Sequence, residues 1–272
     1  MARALVLCAD DFALSEGVSR AIAALAAQGR LSATSAMVLS PRWREDVARL
    51  QPLRGQVDVG LHLDWTSAFA LAAGHGQPLP ALMLWAALGA LRADAVRAVV
   101  ERQLDAFEAH WKAPPDHIDG HQHVQQFRGI REALVEAVQR RYPQHPPWLR
   151  VSLAPPGQRD LKARTIAAWG AQALVRQANR AGLPHAEVLS GIYDFSGDTA
   201  AYAQHMQRWL RTAPAGTVLM CHPADRADAD DAIGAARARE GAYLASAAFA
   251  QALAAADVRL ARGHDLFPAA PA

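Results

Sequence analysis

The sequence has little cysteine, two in 272 residues, and little lysine, which occurs only at Lys112 and Lys162. Cys8 and Cys221 each sit inside an apolar run, ALVLCA and TVLMC, and read as buried free thiols. Two such thiols build no disulfide framework, which suits a reducing compartment. An excess of one charge is also missing: 28 basic against 26 acidic residues leave a formal net charge of +2. This excludes the concentrated basic surface that a nucleic-acid binder needs for phosphate contacts. No stretch approaches the ~18–20 uncharged apolar residues of a membrane span. The opening MARALVLCADDF breaks its apolar run at Asp10 and has no small-residue cleavage site behind it, so a cytoplasmic chain without a signal peptide is expected. No P-loop, GxGxxG or GxSxG stands where its chemistry would need it. What is present is 51% hydrophobic residues with only 20% charged, enough for a large core and incompatible with wholesale disorder.

Short apolar runs alternate with longer helix-like stretches along the whole chain. Strands are predicted at Ala4–Ala9, Ser35–Leu39, Val57–Leu63, His117–Asp119, Leu149–Leu153, Thr217–Cys221 and Val258–Leu260, with a weaker one near Glu187–Leu189. The best of these are continuously apolar, the pattern of strands buried on both faces of a parallel sheet. Helices are predicted at about Ser15–Gln28, Ala93–Trp111, Gly129–Arg140, Asp160–Ala181, Thr199–Arg211 and Arg237–Ala255. In Ala93–Trp111 the apolar residues Val96, Val99, Val100, Leu104, Phe107 and Trp111 recur at helical steps. This alternation predicts one α/β domain over 1–272, a (β/α) barrel or a doubly wound sheet. Two loops, Trp65–Pro80 and the acidic Pro223–Ala236, are expected at the rim of a site.

The titratable residues cluster at one kind of place. Asp10 and Asp11 end ALVLCA, His62 ends VDVGL, His121 and His123 follow HID, and His222 ends TVLMC. In a parallel α/β fold the C-terminal strand ends converge on one face, where sites are built. Capping explains one aspartate, not two directly after a buried strand, and adjacent carboxylates repel unless a cation or a shared proton separates them. A lone His62 on an apolar strand would be a hydrogen-bonded core residue; near Asp11 it becomes a metal ligand candidate. If the chain is extended there, His117, Asp119, His121 and His123 share a face. His121 is the favoured ligand, His123 a neighbour of the ligands or a substrate contact, Asp119 a group that orients a ligand imidazole, and His117 structural. His222 is either a buried hydrogen-bonded residue or a general acid. His75, in the first loop, is at most a substrate contact.

At these residues the sequence resembles the YdjC-like carbohydrate deacetylases. The elements are Ala9-Asp-Asp-Phe-Ala-Leu-Ser15, Gly60-Leu-His-Leu63, Gly120-His-Gln-His-Val-Gln125, Met220-Cys-His-Pro-Ala224, and Arg239-Glu240 followed by Tyr243 and Leu244. Ala13, Gln125 and Ala224 depart from the usual pattern, and none removes a presumed ligand. The resemblance implies an irregular TIM-like (β/α) barrel with mostly parallel strands. It implies a metal-dependent hydrolase that removes an N-acetyl group from an amino sugar. It places one divalent ion, zinc or magnesium, on Asp11, His62 and His121, with Asp10 as general base and His222 as acid. Substrate contacts are expected from His123, Gln125, Trp65 and Arg150. The expected partner is an N-acetylated sugar or, as in a hopanoid-associated branch of the same pattern, a glycolipid; a homodimer is left open. The competing readings are another metal-dependent hydrolase, acting on a phosphoester or cyclic amide, and a non-catalytic sugar- or lipid-binding barrel.

Overall fold

The computed structural model describes residues 2–268, so residue 1 and residues 269–272, the ends of the expected 1–272 domain, lie outside the described part. The strands are β1 (Arg3–Phe12), β2 (Ala33–Ala36), β3 (Asp58–Leu63), β4 (His117–Gly120), β5 (Trp148–Arg150), β6 (His185–Ala186), β7 (Leu189–Ser190), β8 (Val218–Cys221) and β9 (Val258–Leu260). They run in the order β6-β5-β4-β3-β2-β1-β8-β7, with β9 paired to the first residues of β1. Every pairing is parallel. The short strand β6 pairs with β5, and β7, two residues further on, pairs with β8. One bent segment therefore bridges the two ends of the sheet. Leu189 N also donates to Leu153 O at 2.8 Å. The sheet is a nearly closed (β/α) barrel, not a doubly wound sheet.

The apolar run of β1 has two cores to fill. Leu5, Leu7 and Ala9 face the packed helices, and Val6 and Cys8 join Ala33, Trp148, Ala186, Val218 and Met220 in a second cluster. Successive residues point to opposite faces, so a strand buried on both sides must be apolar at every position. Both cysteines are free and buried, as expected.

Helix Ala93–Trp111 forms over its predicted span. Two predicted helices are each broken in two. Asp160–Ala181 splits into Leu161–Ala168 and Ala171–Arg180 at Gly170, whose φ of 121° and 2.2 Å clearance from Gln126 O admit no side chain. Arg237–Ala255 splits into Gly234–Ala245 and Ala247–Ala255 at Ser246, whose hydroxyl accepts from Phe249 N and caps the second piece. The loop Trp65–Pro80 is also corrected. It holds a short helix, Ala68–Ala72, capped by Ser67, and runs into the uncharged helix Leu79–Leu88. Strand β2 spans Ala33–Ala36, not the predicted Ser35–Leu39, and its pairing with β1 loses register between Ala9 and Phe12.

At the opposite end of the strands, Asp116 accepts from Val59 N at 2.8 Å. Burial, opposed by that hydrogen bond and reinforced by Asp58, pushes its carboxyl up to about 6. The folded chain therefore holds this proton more tightly than the unfolded chain does. The stability it contributes is complete below pH ~4 and is lost as pH rises to about 6. Asp116→Asn keeps an acceptor for Val59 N–H and removes that loss. It is expected to stabilise the protein at pH 7 by up to about 3 kcal/mol and to change little at pH 4. Urea unfolding of both chains at the two pH values checks this; equal curves at pH 7 would refute it.

Candidate active site

Asp10 follows the alternation of β1 and points inward after Cys8. Asp11 would then face the helices, but its φ of 68° and the break in register re-aim it. A bulge of this kind turns a side chain that alternation sends elsewhere. Both carboxylates therefore meet one cavity of about 470 Å³ at the C-terminal strand ends. His62 of β3, His121 and His123 after β4, and His222 after β8 line the same cavity. The expected convergence is present, though not through the expected backbone. Strand β4 ends at Gly120, and Gln122 and His123 adopt left-handed angles, so His121 and His123 reach the cavity by a tight turn, not by extended alternation.

The two aspartates are held by different partners. Asp11 Oδ1 lies 3.3 Å from His62 Nε2 and 3.1 Å from His121 Nδ1, and its Oδ2 accepts from Arg237 at 2.7 Å. Asp10 takes a two-pronged contact from Arg150, at 2.6 and 2.8 Å, and its Oδ2 lies 3.9 Å from His222 Nε2. Burial would raise the Asp10 carboxyl, but Arg150 prevails and holds it well below the usual carboxylate range. Asp11 is likewise held low against burial by Arg237 and His121. Asp119 sits 2.6 Å from His62 Nδ1, which turns the other ring nitrogen toward Asp11. That is the orienting role expected of Asp119.

A cation fits this group. The ligand atoms of Asp11, His62 and His121 lie within 4.8 Å of one another. Burial would strip the proton from His62, yet Asp119, Asp11 and Asp10 raise it to about 10. A wholly buried imidazole driven to carry charge marks a place short of positive charge, and two imidazoles with one carboxylate form an ordinary metal donor set. Of the two further groups, Asp10, His62 and Asp119 shares His62, with both its carboxylates engaged by Arg150, and Cys8, His117 and Asp119 shares that same Asp119. Both depend on Asp119, which is already paired with Arg150 and His62.

Three of the expected substrate contacts are buried outside the cavity lining. Arg150 is fully buried under Asp10, with Nη1 also 2.9 Å from Asp119, because two buried carboxylates require a counter-charge. Gln125 is fully buried and donates to Arg150 O at 3.0 Å. Trp65 is buried edge-on against His75. None of the three lines the cavity. His75 is held by Asp64 O and Arg102, away from it as well. His123 does line it, with Nδ1 2.9 Å from Ser152 Oγ; burial, with Arg150 nearby, lowers it to about 3, so it is neutral. His117 is buried, stacked on Trp148 under Gly60, where any Cβ would strike its ring. Of the two loops, the acidic one contributes more to the wall, through Asp231, Ala232 and Ile233; Trp65–Pro80 contributes Leu79 alone.

The sequence reading missed Arg237, Asp231, Lys162 and Phe195, which also line the cavity, and the role of Glu240. Glu240, 1% exposed, accepts from His222 N and Tyr193 OH, each at 2.6 Å, and fixes the turn that presents His222. Arg237 and Glu240 flank Arg239 on one helix, so the closing Arg-Glu element was the available signal.

Fold and cluster together define a (β/α) barrel with an Asp–His–His group that could hold a cation at the C-terminal ends of its strands. The chain belongs to the YdjC-like protein family, which it matches over residues 4–255. It is 31% identical over 151 residues to the chitooligosaccharide deacetylase of Proteus mirabilis (strain HI4320), covering 52% of this chain and 57% of that protein. Its identity to the chitooligosaccharide deacetylase of Serratia marcescens is 30% over 154 residues, 50% of this chain and 57% of the other. The chain thus spans little more than half the length of these relatives. A crystal structure from Enterococcus faecalis V583, named for cellobiose-phosphate cleavage, superposes with a TM-score of 0.73 over 98% of this chain and 100% of that one. At 20% identity this is a likeness of fold. Among the described residues, no helix is long and apolar enough to cross a membrane.

Proposed function

We propose that this cavity hydrolyses the N-acetyl group of an acetylated amino sugar, either a chitooligosaccharide-like sugar or a glycolipid-linked one. One observation carries the reading: two adjacent aspartates share a cavity, one turned to two imidazoles and the other held apart by Arg150 opposite a third. The names of the relatives support the same chemistry. Asp11, His62 and His121 would hold one divalent ion. Two imidazoles favour zinc, and magnesium is the second choice. When bound, the ion draws electron density from the acetamide carbonyl and eases loss of a proton from water.

The protein's own groups handle the protons. Asp10, kept ionised by Arg150, accepts the proton of the attacking water. Burial lowers His222 despite Glu240 and Asp10, so it begins the cycle neutral. His222 must gain its proton during turnover, and Asp10 Oδ2, 3.9 Å away and beyond direct hydrogen-bond reach, passes it on through a bridging water. His222 then protonates the amine as the C–N bond breaks, leaving acetate and free amino sugar.

Acetate release tests this. The chain is stripped of metal, reloaded with zinc, magnesium or cobalt, and given N-acetylglucosamine, chitobiose and an N-acetylglucosaminyl lipid. Metal-dependent acetate from at least one is expected; none, with metal bound, would refute the reading. His62→Ala should weaken divalent-ion affinity by more than the ~10–100-fold that loss of an outer partner costs. Unchanged metal content would remove His62 from the ligand set.

A further inference from the structure

We propose that Arg237 is a positioning residue that leaves Asp11 only one oxygen for the cation and loosens the cation's hold. The inference rests on the reading of Asp11, His62 and His121 as a cation centre.

Arg237 lies on helix Gly234–Ala245 and is 3% exposed. Its Nη2 occupies Asp11 Oδ2 at 2.7 Å, and its Nε is anchored on Asp231 Oδ2 at 2.5 Å. The anchor is itself fixed, because Asp231 Oδ1 accepts from Ile233 N at 2.9 Å. Asp11 Oδ1 is the oxygen that faces both imidazoles. A free carboxylate can grip a cation with two oxygens; this one offers one. The guanidinium also places a fixed positive charge beside the carboxylate, which repels a divalent ion. A cation held this way gives up less of its electron-withdrawing power to its ligands and keeps more for a carbonyl. A purely structural role for Arg237 predicts equal or weaker ion binding on substitution, not tighter binding.

The test is calorimetric titration of metal-stripped protein with zinc chloride and with magnesium chloride. Arg237→Gln frees Asp11 Oδ2 and removes the charge. It is expected to bind both ions about tenfold more tightly, with the larger gain for magnesium, which prefers oxygen ligands. Its kcat should fall. Arg237→Lys keeps a charge near Oδ2 and should stay within about threefold of the parent chain. Asp231→Asn leaves the guanidinium less neutralised and should weaken binding severalfold, opposite in sign to Arg237→Gln. A folded Arg237→Gln chain that binds equally or more weakly overturns the proposal. Should that variant fail to fold, Asp231→Asn decides: unchanged or tighter binding overturns it. A parent chain that takes up neither ion instead removes the cation centre itself, and this inference with it.

Discussion

Replacing Asp10 with Asn is expected to cut acetate release about a hundred- to ten-thousandfold, the range that loss of a general base produces, while leaving divalent-ion uptake close to that of the parent chain. The split follows from which oxygens face which partners. Both imidazoles that converge on the candidate cation position approach Asp11, and Asp10 instead meets Arg150 and His222. Asparagine has nearly the shape of aspartate but takes no proton. Arg150 retains Asp119 as a counter-charge at 2.9 Å, so the fold should survive. Acetate assay and metal analysis on the same preparation check the result. Near-parental turnover would show that Asp10 is not the base. Loss of metal together with turnover would place it among the ligands.

Replacing Arg150 with Met should cost about 3–5 kcal/mol of stability, the effect of removing one partner from a buried ionic group. Arg150 is fully buried and touches the carboxylates of both Asp10 and Asp119, which are themselves buried. Methionine fills much of the space and neutralises neither. The pH dependence has a definite sign. With Arg150 present, the Asp10 and Asp119 carboxyls are both held below their ordinary range despite burial. That contribution is present above the unfolded value near 4 and is lost as pH falls. Arg150→Met removes it, so the stability gap should be widest at pH 7 and should narrow as pH drops below about 4. Urea unfolding across this range measures the gap. A gap that stayed constant would mean that Arg150 contributes packing and not charge.

Much of the candidate site was legible because strand periodicity and strand ends are local properties. ALVLCA and VLMC are apolar at every position, which only strands buried on both faces require. Asp10, Asp11, His62, His121 and His222 each lie at or just beyond the C-terminal end of a strand, and parallel strands carry those ends to one face. Less legible was which side a residue takes once the strand stops being regular. Asp11, Gln122 and His123 all have left-handed angles that no periodic pattern announces. The two helix breaks, at Gly170 and Ser246, were marked by residue type, but a helical window outweighs one residue.

By itself the sequence determined the alternation of strands and helices, the burial of both thiols and the gathering of aspartates and histidines at strand ends. Each depends on residue type and near neighbours along the chain. Tertiary structure alone decided that the sheet closes through the bent β6–β7 segment and that Gln125 and Trp65 lie inside the core. It alone decided that Arg150 and Arg237 serve the two aspartates. The reason is electrostatic and long-range. A buried carboxylate must find a positive partner wherever the fold brings one, and these partners lie 140 and 226 residues away along the chain.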